Sequence, residues 1–180
     1  MDKMDSYEKL SKPGLWFIKT RQPFTELCKY VYELAVELGL PVVVYSSASK
    51  KEIQNAVIDL IKTKCIENAE NENERDWLEQ EMTEYNTHGQ FWYPEEMNDY
   101  VPNGSFWTSY VFFDEFKVLS FTNTFSKLYL IDNLSELCLD YGSDYSRALS
   151  SIEQEAVEYK KTIIAFVTPN DSYYDSTRDF

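Results

Sequence analysis

The sequence predicts an α/β (or α+β) fold: one domain over residues 1–180, with a mixed sheet of about six strands and helices packed on it. Three observations lead there. Residues 15–61 run strand, helix, strand, helix, the order of an N-terminal βαβ unit. Residues 106–131 hold three apolar or aromatic runs separated by short polar pairs, the pattern of a central antiparallel meander. A wholly apolar run, Ile163 to Val167, then supplies a last strand.

Taken in order, Met1 to Pro13 is polar and mixed in charge and reads as a mobile arm. Leu15-Trp-Phe-Ile18, after Pro13-Gly14, has the pattern of a buried strand. Pro23 suits the first turn of a helix, where its missing N–H costs nothing. Phe24, Leu27, Cys28, Val31, Leu34, Ala35 and Leu38 then recur at three- and four-residue steps until Gly39 supplies the stop. Val42 to Tyr45 is β-branched enough for an interior strand. Ser49-x-x-Glu52 is a capping box, and Ile53, Ala56, Val57, Leu60 and Ile61 form the stripe of the helix it starts. Such a crossover would pair the first two strands in parallel.

From Glu67 the composition changes. Asparagines in Glu70-Asn-Glu-Asn-Glu74 predict a break near Asn71, with a second helix from about Asn73 to Tyr85. Thr87 to Gly104 reads as a long surface loop. The meander follows, Phe106 to Phe113, Phe116 to Thr122 and Phe125 to Ile131, with turns at Asp114-Glu115 and Asn123-Thr124. Helices over Leu134 to Tyr141 and Tyr145 to Lys161 precede the last strand, and residues 170–180 read as a second mobile arm.

Charge is distributed unevenly along the chain. The total is −14, yet Glu67 to Asp99 holds eleven Asp and Glu against Arg75 alone, a local −10. Residues 67–104 therefore stand out as an acidic helix-loop insert. With 43% hydrophobic and 16% aromatic residues the chain is too apolar to be disordered. Five glycines leave little material for Gly-rich phosphate loops, which counts against nucleotide enzymes. Cys28, Cys65 and Cys138 are far apart and lie in helical patterns, as buried thiols do. No metal ligand set and no cofactor is expected. Without a signal-peptide pattern or a spanning apolar run, the expectation is a cytoplasmic protein that binds no membrane. A charge of −14 also repels nucleic acid, so direct binding to it is not expected.

As one continuous helix, Glu67 to Glu84 would span about 27 Å at about 1.5 Å per residue. Its eight carboxylates would then fall about 3.4 Å apart, the phosphate rise along a DNA strand. Such a surface attracts the Lys/Arg groove of a nucleic-acid-binding enzyme. The candidate partner-binding residues are Glu67, Glu70, Glu72, Glu74, Asp76, Glu79, Glu81, Glu84, Glu95, Glu96 and Asp99. Phe91, Trp92 and Tyr93 join them as aromatic anchors. Glu72, Asp76 and Glu79 would form an outward row, with Leu78, Met82 and Tyr85 on an inward face. In composition alone this is similar to small acidic phage and mobile-element antagonists of restriction or CRISPR nucleases. The partner expected on that analogy is a basic, nucleic-acid-binding protein, in a host cell infected by phage.

A second candidate is the turn Ser46 to Lys51, between a strand end and a helix N-terminus, where Ser47, Ser49, Lys50 and Lys51 would bind an anion. It would belong to a small α/β enzyme or metabolite-binding domain. A third reading is an acidic subunit of a larger assembly. Catalytic residues are not evident: His88 is the sole histidine, Glu153 and Glu155 diverge on a helix, and Glu95 and Glu96 are plain neighbours.

Overall fold

A computed structural model describes residues 8–77, 79–80, 111–113, 126–132, 134–135 and 144–180. Its strands are β1 (Gly14–Lys19), β2 (Val42–Tyr45), β3 (Val111–Phe113), β4 (Leu128–Ile131) and β5 (Thr162–Val167), in the spatial order β1-β5-β4-β2-β3. Every neighbouring pair is parallel. Four strands form the body of the sheet, and three-residue β3 extends it beyond β2.

This corrects the mixed sheet of about six strands with a central antiparallel meander. Two of the meander's runs supply β3 and β4, but these flank β2 on opposite sides and run in its direction. Phe116 to Thr122 lies outside the described residues. The N-terminal unit needs correction too, because β5 and β4 lie between β1 and β2. A physical reason is visible in the burial. Every residue of β2, β4 and β5 is buried, as parallel strands covered on both faces require, whereas hairpin strands usually keep one wet face.

Helices cover both faces. Helix α1 (Pro23–Val31) continues as a π-helical stretch, Tyr32–Glu37, in which Leu38 N–H donates to the Glu33 carbonyl at 3.2 Å. Gly39, at φ 63°, takes the left-handed conformation that ends it. Helix α2 (Lys50–Glu67) begins at the capping box. Leu27, Cys28 and Val31 of α1 and Ile53, Val57 and Ile61 of α2 pack on Val42, Val44, Leu128, Leu130, Ile164 and Phe166. Helix α3 (Tyr145–Glu158) covers the other face, with Ala148, Leu149, Ile152 and Ala156 against Leu15, Phe17, Val43, Tyr129 and Ile163. Crossovers that step toward β3 use the first face, and the crossover from β4 back to β5 uses the second. A single handedness demands that arrangement.

Two local devices fix the edge strand. Gly14, at φ 135°, lies so close to α3 that a Cβ there would sit 2.9 Å from Glu153 Oε1. That carboxylate accepts a 2.5 Å hydrogen bond from Leu15 N–H and one of 2.8 Å from Arg178 Nη1. Residues 170–180, read from the sequence as a mobile arm, end beside β1, where Phe180 N–H donates to the Phe17 carbonyl at 2.9 Å.

Gly14→Ala should lower unfolding free energy by about 1–3 kcal/mol, because it combines a left-handed φ with a collision against Glu153. Urea denaturation measures it, and an unchanged midpoint would refute the close approach. A pH dependence also follows. Burial, with the charge of Asp132 adding to it, raises the Cys28 thiol from 9.0 to about 12. Burial, with Glu33 and Glu26 adding, raises the Tyr30 hydroxyl from 10.0 to about 12. Between those values the unfolded chain binds fewer protons than the folded one, so these two groups make stability fall as pH rises through 9 to 12. Lys62 and Lys161, lowered by burial below 10.5, act with the opposite sign. Denaturation at pH 8 to 10.5 should show that Tyr30→Phe flattens the fall, and an unchanged slope would contradict it.

Candidate functional site

The acidic insert starts where α2 ends. Asn68 N–H closes the last turn on the Lys64 carbonyl at 3.1 Å, and the chain then leaves helical geometry through residue 71. Asn71 Oδ1 accepts from Glu74 N–H at 2.9 Å and begins a new helical stretch over residues 72–77. Glu74 Oε2 turns back to accept Glu70 N–H at 2.7 Å. The interruption expected near Asn71 is therefore present, and residues 67–77 do not form one continuous helix with evenly spaced charge.

Glu67, Glu70, Glu72, Asp76 and Glu79 are exposed, whereas Glu74 is half-buried and engaged with backbone. Among the described residues, no ion pair joins Glu67, Glu70, Glu72, Glu74 or Asp76 to a lysine or arginine of the protein. Arg75 on the same stretch forms no ion pair with them. Trp77 sits among these groups at 39% exposure. Glu81, Glu84, Phe91, Trp92, Tyr93, Glu95, Glu96 and Asp99 lie outside the described residues, as does His88.

The turn Ser46 to Lys51 occupies a place that the strand order makes special. After β2 the chain turns to the face of α2, and after the adjacent β4 it turns to the face of α3. Open α/β sheets bind ligands in such a crevice, at the carboxyl ends of strands whose connections diverge. Here the crevice is lined by a carboxylate. Ser46 Oγ donates to Asp132 Oδ2 at 2.6 Å, and Ser47 N–H donates to Asp132 Oδ1 at 3.2 Å. Ala48 N–H donates to Ser46 Oγ at 3.0 Å. Ser49 N–H donates to Glu52 Oε2 at 2.7 Å, and Ser49 Oγ accepts Glu52 N–H at 3.2 Å. Hydrogen bonds to the Glu52 carboxyl from the Ser49 backbone, the larger cause, and from the Ser49 side chain hold it below its ordinary range. Lys50 and Lys51 are exposed at the helix start.

The Ser46 hydroxyl and the Ser47 and Ser49 backbone N–H groups, which an anion would need, are thus engaged by the protein's own carboxylates. Sequence reasoning missed Asp132: an acid directly after the apolar run Leu128 to Ile131 is visible, but its meeting with Ser46 follows only from the pairing of β4 with β2. The turn from β1 to α1 is no better suited to phosphate. Residues 20–25 contain no glycine, Gln22 N–H is engaged by Thr20 Oγ1 at 3.1 Å, and Pro23 has no N–H. Among the described residues no group of three or more His, Cys, Asp or Glu side chains could hold a metal ion. No helix among them is long and apolar enough to cross a membrane.

The chain matches no protein-family model and no curated protein sequence.

Asp132→Ala should cost about 1–3 kcal/mol, because it leaves Ser46 Oγ and Ser47 N–H without their acceptor in a partly buried crevice. The same variant should gain affinity for inorganic phosphate, read as a phosphate-dependent rise in melting temperature that the unsubstituted protein lacks. A phosphate response already present with Asp132 in place would refute this account of the crevice.

Proposed function

We propose that the protein is a binding protein that engages the basic, nucleic-acid-binding surface of an enzyme through its acidic insert, as an antagonist would. One observation carries this reading. The described start of the insert presents Glu67, Glu70, Glu72 and Asp76 to solvent, and among the described residues no lysine or arginine is ion-paired to them. Neighbouring carboxylates repel one another and weaken a helix, and solubility alone is served equally well by scattered charge. Concentrated negative charge steers a positively charged partner and accelerates its association. Exposed Trp77 adds a side chain of the kind that anchors interfaces.

The metabolite-binding alternative is less well supported, since Asp132 occupies the crevice that such a ligand would use. Support for the antagonist reading comes from the placement of charge, and its test is competition. Purified nucleases, polymerases and recombination enzymes, each loaded with a fluorescent oligonucleotide, are titrated with the protein while anisotropy is followed. At least one should release its oligonucleotide, with a steep loss of potency between about 50 and 200 mM salt. The combined reversals Glu67→Lys, Glu70→Lys, Glu72→Lys and Asp76→Lys should abolish that release, and Lys50→Ala with Lys51→Ala should leave it intact. Release that survives the reversals would sink the proposal, and binding without release would mark a docking subunit instead.

A further inference from the structure

We draw no further inference here: the strongest candidate, the exposed surface patch of Val157 and Tyr159 at the C-terminal end of α3, carries nothing, because nothing in the structure shows what covers it.

Discussion

Burial of the central strands on both faces is the constraint from which the rest of the structure follows. β2, β4 and β5 expose neither face, so a helical layer must close each side. Alternate residues of each strand then serve different layers: Val42 and Val44 meet α1 and α2, while Val43 and Tyr45 belong with α3. Polar groups are consequently displaced to the two ends of the sheet. Lys161, at the amino end of β5, is buried there, donating to the Ser126 carbonyl at 2.6 Å and resting against the Tyr129 ring.

The ends of the sheet carry different chemistry. At the carboxyl ends, short turns close on themselves through Asp132, Ser46, Ser49 and Glu52, which leaves the usual ligand crevice satisfied from within. Helix α2 starts there and delivers the chain to the opposite end, where the acidic segment begins. The exposed carboxylates of Glu67, Glu70, Glu72 and Asp76 are thereby held away from the crevice. If the protein acts by binding, the sheet serves as the frame that holds them in place.

How much of this was legible depended on the range of the interaction. Local devices could be read directly: Pro23 at a helix start, the Ser49/Glu52 box and the interruption at Asn71 each act within a few residues. Strand pairing could not, because it joins residues far apart. Asp114-Glu115 and Asn123-Thr124 look like hairpin turns, yet β3 and β4 are separated in space by a strand made from residues 42–45. The uninterrupted apolar runs were the better guide, since strict alternation was missing from them. Within the site, the exposed carboxylates at 67, 70, 72 and 76 follow from composition. Asp132 depended on knowing that β4 lies beside β2.

The central place of β5 bears on how the chain is assembled. β5 is the last of the described strands in sequence, yet it lies between the first, β1, and β4. While the ribosome is still making the earlier residues, β1 has no neighbour in register, and its aromatic face is left to chaperones or to chance. Ordering of the N-terminal strand awaits a segment more than a hundred residues away, a topology of high contact order that predicts slow, late and concerted folding.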